Sequence, residues 1–170
     1  MCSNITLNDY HNITAIQTAI SSQVGTLNLY TSSDHAFNTI VPQDASTENE
    51  ASCQTLDASL EELGVRNCDF IKMDIEGAEL FAIQGREKTL AKNPMISLLI
   101  ELHNSQIRTL GGTPEDILDF FLKNGFKLYE LNMWHGIVAL DTIHQPRIHG
   151  HLLCLRKPHV ISPESLISQR

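Results

Sequence analysis

Asp74, Glu76, Glu101 and His103 are the side chains of this sequence whose types and spacing suit proton transfer or cation binding. Asp74 and Glu76 close a short apolar run (Phe70, Ile71, Met73), and Gly77 follows at once. Residues two apart in extended chain face the same side, so the two carboxylates are expected to point together while Ile75 points away. Glu101 and His103 close a second apolar run, Met95 to Leu102, with the same spacing. A carboxylate beside an imidazole orients the ring for general-base work, and removing a hydroxyl proton needs such a base or a metal that acidifies it. Asp74, Glu101 and His103 on neighbouring strand ends suit either, since imidazole and carboxylate oxygens are acceptable to a divalent ion. Plainer readings stand beside these. Acids are favoured at a helix N-terminus by its partial positive charge, and an imidazole after a strand can simply cap a carbonyl. Glu79, on the first helical turn, is expected at the surface. His149 and His151 flank Gly150, but no third ligand is spaced with them, so a structural role is expected and no metal set is assigned.

Placing these groups together requires two strands that end side by side. Residues 69–74 are apolar between polar flanks, which suits a buried strand of a parallel sheet. Past Gly77 the apolar spacing turns helical in Ala78, Leu80, Phe81 and Ile83. Gly85 breaks that helix, since a helical Gly costs ~1 kcal/mol relative to Ala, and Lys92-Asn93-Pro94 ends the segment. A strand over 95–102 follows. Thr113-Pro114-Glu115-Asp116 supplies a cap residue, a proline at the first helical position and acids in the first turn. Ile117, Leu118, Phe121 and Leu122 then make one apolar face, with Gly125 as the stop. Phe126–Leu131 and His151–Arg156 read as strands. Upstream, Ile13–Ile20 reads as a strand, Leu27–Tyr30 as a half-exposed one, Ser52–Leu56 as a short one, and Asp57–Leu63 as a short helix closed by Gly64. Residues 3–10 suit a helix tail or a loop. Thr31 to Ser52, rich in Ser, Asp, Asn and Thr, reads as a long surface loop with a short strand at Phe37–Val41. Trp134 and Tyr129 are expected in the core or at an edge. Alternating strands and helices with short links imply an α/β fold with a mostly parallel sheet and covering helices. One domain over 1–157 and a polar peripheral tail over 158–170 are expected.

Composition narrows the partners. The formal net charge of −8, from 12 basic and 20 acidic residues, argues against nucleic acid or an anionic membrane surface, both of which demand a basic face. No apolar run approaches the ~18 residues of a membrane span, and the first residues lack the basic start and apolar core of a signal peptide. Cys2, Cys53, Cys68 and Cys154 have no paired spacing and read as free thiols of a reducing compartment, with a cytoplasmic setting as the expectation.

Ile71-Lys72-Met73-Asp74-Ile75-Glu76-Gly77-Ala78-Glu79, Gly85, Ile100-Glu101-Leu102-His103 and Leu122-Lys123-Asn124-Gly125-Phe126 together resemble the FkbM-type methyltransferase domain. Asn4 to Asn8, Ala19 to Ser21 with Gly25, and Thr55-Leu56-Asp57 extend the resemblance over residues 3–131. It implies a Rossmann-like, class I methyltransferase sheet, S-adenosylmethionine as methyl donor, and O-methylation of a hydroxyl on a sugar, lipid or small molecule. Under it Asp74, Glu101 and His103 are the catalytic candidates, and Glu76 and Gly77 the donor-binding ones. Members of the family open with a strand, a glycine-rich turn and a helix, then a second strand ending in an acid that bonds the donor's ribose. This sequence holds neither, so it is expected to be the C-terminal part of such a domain, with the first strands missing and tight donor binding by the chain alone not expected. The alternative is a non-enzymatic binding module that keeps the fold remnant; a metal hydrolase is weaker, because no ligand set is complete. In the family's sheet the first two strands lie between the third, here Ile13–Ile20, and the fourth, here Asp69–Asp74. Their absence leaves the fourth with an open edge, from which self-association is expected unless Ile13–Ile20 moves in to pair there.

Overall fold

The computed structural model describes residues 2–31, 38–42, 47–132, 136–140 and 150–156. Helix α1 (Cys2–Leu7) precedes a four-stranded sheet built from β1 (Ala19–Ile20), β2 (Gly25–Thr31), β3 (Asn38–Thr39) and β4 (Thr47–Gln54) in the order β1-β4-β2-β3. β2 and β4 run antiparallel from Gly25↔Cys53 to Thr31↔Thr47, while β1 lies parallel to β4. Two sequence expectations fail here. The stretch taken for a loop from Thr31 to Ser52 ends in β4, a strand from Thr47 whose Glu48, Asn49 and Glu50 are exposed. The strand expected over Ile13–Ile20 shrinks to its last two residues; Ile13 and Ile16 are about half exposed and pair with no strand among the described residues.

After α2 (Leu56–Glu62) come β5 (Phe70–Met73), α3 (Glu79–Gln84), α4 (Glu87–Lys92), β6 (Ser97–Leu102), α5 (Asn104–Thr109), α6 (Pro114–Lys123), β7 (Phe126–Asn132), β8 (Gly136–Ala139) and β9 (Gly150–Arg156). Their strands form a second sheet in the order β5-β6-β9-β7-β8. β5 and β6 pair in parallel, whereas β9 runs antiparallel to both β6 and β7. β5, β6 and β7 therefore share one direction, and the inserted β9 opposes them. The sheet is α/β but mixed, which corrects the mostly parallel sheet expected from the order of elements. Hydrophobic pattern alone does not reveal direction, because a strand buried in the middle of a sheet reads alike in either sense.

The core lies between one face of this sheet and α3 to α6. Along β6, Leu98, Ile100 and Leu102 are buried and alternate with half-buried Ser97, Leu99 and Glu101. Ile83, Leu90, Ile107, Ile117 and Phe121 meet them from the helices. α6 is set by the signals read from sequence: Thr113 and Asp116 form a reciprocal capping box and Pro114 opens the first turn. Asp57 caps a neighbouring helix instead of its own, its carboxylate accepting from the Lys88 and Thr89 N–H groups at 2.8 and 2.7 Å. Gly85 closes α3 because nothing larger fits: a Cβ there would stand 2.6 Å from the Ser21 carbonyl and 2.9 Å from Thr55 Cβ.

The outer side of β5 carries no partner strand among the described residues, and Phe70 is 53% exposed there. Ala19–Ile20 stays in the other sheet, so it does not close this edge. Cys53, Cys68 and Cys154 are free thiols. No helix among the described residues is long and apolar enough to cross a membrane. Tyr129 is buried in β7; Trp134, Phe37, His149 and the tail from Pro158 lie outside the described residues.

Candidate functional site

β5 ends at Met73, and the chain then turns through Asp74, Ile75, Glu76 and Gly77 into α3. Glu76 has φ +53 and Gly77 φ +101, so Glu76 sits in a left-handed turn and not in the extended chain expected from its spacing to Asp74. Gly77 is required by packing as well as by its backbone: a Cβ there would lie 2.3 Å from Gln106 Cβ on α5. β6 ends beside β5, and His103 occupies the junction between β6 and α5.

The turn and the junction bring three of the candidate side chains together. His103 Nε2 lies 3.5 Å from Asp74 Oδ1, and His103 Nδ1 lies 3.3 Å from Glu76 Oε2. Ligand atoms of Asp74, Glu76 and His103 all fall within 4.8 Å of one another. Lys72, two residues before Asp74 on β5, donates from Nζ to Asp74 Oδ2 at 2.9 Å. That hydrogen bond holds the Asp74 carboxyl below its usual range, with a smaller push the same way from His103. Asp74 therefore stays an acceptor through ordinary pH.

Glu101 is not part of this group. It faces His151, its direct cross-strand partner on β9, with His151 Nε2 3.3 Å from Glu101 Oε2. The Glu101–His103 pair expected from two-residue spacing does not form, because β6 stops at Leu102 and His103 has left the extended path. A cross-strand pair is the ordinary outcome for opposite polar groups on one sheet face. His151, read from sequence as structural, is thus half of an edge-of-site ion pair.

Two further residues were not legible as site residues. Thr39, buried on β3, donates from its hydroxyl to the Glu76 carbonyl at 3.0 Å and accepts from the Val41 N–H at 3.1 Å. It ties the first sheet to the turn that carries Glu76. Glu79, expected at the surface, is fully buried: it shares the inward face of α3 with Ala82 and Ile83, at helical spacing. The Gly77 N–H donates to Glu79 Oε1 at 3.2 Å, and burial holds the carboxyl above its ordinary range despite the opposing pull of backbone hydrogen bonds and, less strongly, of His103.

Asp74 and Glu76 open onto a cavity of about 430 Å³ between the turn and the first sheet, walled on the far side by Ile20, Leu27, Leu29 and Thr39. That is within the ~300–1,000 Å³ of small-molecule sites. Two acids at a strand end and a largely apolar far wall, with a histidine packed behind the acids, describe a pocket for a polar group on a larger organic molecule.

The family model of the methyltransferase FkbM domain matches residues 2–128. The chain belongs to the FkbM methyltransferase family. No curated protein and no solved structure gave a significant match. Within this FkbM domain the matched residues take in the first sheet, the Asp74–Gly77 turn, His103 and the capping box of α6.

The donor expected for an FkbM domain fits the described residues in part. Carboxylates such as Glu76 suit ribose hydroxyls and the positive sulfonium of S-adenosylmethionine. The donor's own carboxylate finds no glycine-rich amide cradle among the described residues, and Asp74 and Glu76 would repel it.

Proposed function

We propose that this chain supplies the acceptor side of an S-adenosylmethionine-dependent O-methyltransferase. The carrying observation is His103 held between Asp74 and Glu76 beside the cavity. The donor, when bound, supplies an electrophilic methyl group; the work of the residues here is to hold a hydroxyl and take its proton. Asp74 lines the cavity as the proton acceptor with His103 against it from behind, and the apolar wall receives the carbon skeleton of a sugar, lipid or other small molecule. Glu76 and Gly77 remain the donor-side candidates, Glu76 through its carboxylate and Gly77 through the turn it permits. Glu101 acts from outside the cluster, setting the charge of the sheet face. Three free thiols agree with a reducing, cytoplasmic setting.

The chain alone is expected to give no micromolar S-adenosylmethionine binding in titration calorimetry, and to transfer labelled methyl to hydroxyl acceptors only together with a donor-binding strand, glycine-rich turn and helix. Micromolar binding by the chain alone would remove the first expectation. Tight donor binding by the completed domain without any transfer would favour the alternative, a non-enzymatic binding module.

The open side of β5 bears on assembly. A free strand edge with an exposed Phe70 recruits another strand, so the chain on its own self-associates through β5. Light scattering should show a mass that climbs with concentration; a stable monomer at micromolar concentrations, unfolding cooperatively, would reject it.

A further inference from the structure

Two carboxylate oxygens and one imidazole nitrogen converge where β5 and β6 end, from Asp74, Glu76 and His103. Lys72 engages Asp74 through Oδ2, while Oδ1 faces the ring. His103 Nδ1 is held against Glu76 Oε2, the arrangement by which a carboxylate fixes a metal-ligating histidine's tautomer and leaves the other nitrogen to the ion. His103 Nε2 is that other nitrogen. It is buried and, among the described residues, makes no hydrogen bond, with Asp74 Oδ1 at 3.5 Å as its polar neighbour. Glu76 stays within reach of the group, since one ligand atom from each of the three residues lies within 4.8 Å of the others.

An independent observation lies directly behind this group. Glu79 is 0% exposed, and its Oε2 has no hydrogen-bond partner among the described residues. Its Oε1 takes the N–H of Gly77, which places the carboxylate under the turn bearing Glu76 and within electrostatic reach of His103. A buried carboxylate oxygen without a partner is costly. A cation and its bound water beside His103 would satisfy it, together with the Nε2 that otherwise has only the long 3.5 Å approach of Asp74 Oδ1.

We propose that Asp74, Glu76 and His103 bind one divalent first-row transition-metal cation, of the Mn²⁺ or Fe²⁺ class, with Glu79 as a positioning residue behind them. Carboxylate oxygens suit Mn²⁺ and an imidazole suits Fe²⁺ and the later ions, so a mixed set favours a transition metal over Mg²⁺. Three protein ligands leave positions open toward the cavity, where an acceptor hydroxyl can bind the ion and lose its proton more readily. This deepens the methyltransferase reading and takes its position in the cavity from it, but cation binding is measurable without donor or acceptor.

The test is titration of the full chain with Mn²⁺, following loss of the free-ion signal by electron paramagnetic resonance. One saturable site per chain is expected, abolished in Asp74→Asn and in His103→Ala. Glu79→Gln keeps the Oε1 acceptor and the side-chain shape yet should weaken binding about 10- to 100-fold, as loss of an outer-shell partner does. Glu101→Gln, outside the group, should leave the affinity unchanged. Circular dichroism melts show which variants are folded; Asp74→Asn alters a partly exposed side chain and decides the outcome if His103→Ala does not fold. No saturable site in the parent chain, or binding that survives Asp74→Asn, overturns the proposal. Neither result touches the methyl-transfer reading, which fails only on the transfer assay.

Discussion

Asp74→Asn and His103→Ala should each lower kcat by about 10²- to 10⁴-fold in a domain completed with donor-binding elements, the range a lost general base costs. The two side chains approach each other at 3.5 Å from separate strand ends, so each loses its partner when the other is changed. Asp74 is only part-buried and His103 carries no side-chain cap of α5, so melting temperature should move little. Glu101→Gln is the internal comparison. Because Glu101 faces His151, its loss should leave most of the rate intact. Equal rate losses at Glu101 and His103 would mean that the charge of the whole sheet face, and not the cluster, governs turnover. Steady-state kinetics with matched thermal melts decides between these.

Phe121→Ala is expected to remove about 3–5 kcal/mol of stability, the usual cost of truncating a buried aromatic ring. Phe121 is fully buried and meets Phe120 and Phe126 edge-on, with ring centroids 5.5 and 5.1 Å apart. It also faces a buried cation. The Arg86 guanidinium lies 4.5 Å from the Phe120 ring centre and 4.8 Å from that of Phe121, and none of its three nitrogens donates a hydrogen bond among the described residues. Burial brings the Arg86 pKa down to about 9, so near neutral pH the group remains charged and depends on the two rings. Removing one ring exposes that dependence. A melting temperature lower by roughly 10 °C is the expected reading for a domain of this size. Phe120→Ala, at a less buried position, should cost less; an equal or larger loss there would show that the cation, not the packed core, sets the penalty.

What sequence conveyed depended on how local the signal was. α6 was legible to its ends, because Thr113, Pro114 and Asp116 act within one turn and Phe121 lies on the same face as Ile117 and Leu118. β5 and β6 were legible as apolar runs between polar flanks. β4 was not: half of it faces solvent, so its Thr, Glu and Asn residues look like loop composition, and only its pairing with β2 reveals a strand. α5 buries Ile107 alone and offered no apolar stripe. The site divided along the same line. Asp74 and His103 stood out because they end strands, whereas the contact between His103 and Glu76 depends on a left-handed turn that side-chain spacing does not encode. Glu79 misled because a charged residue on a helix's inward face is rare, and nothing local marks it as buried.

β9 is the last described strand in sequence and the middle strand of its sheet, between β6 and β7. During synthesis, β6 and β7 leave the ribosome with no ladder to each other, because each pairs with β9 and not with its predecessor. The helical layer and the β7–β8 hairpin can form early from local contacts, but the sheet closes only when Gly150–Arg156 slides into the gap as a wedge. A transcript cut short, or a protease nick that frees this wedge, leaves β5 with β6 and β7 with β8 as two separate ribbons, each carrying an additional bare edge. Such products are the natural prey of chaperones and proteases, so an intact sheet requires the seven-residue strand that is the last of the described ones to be made.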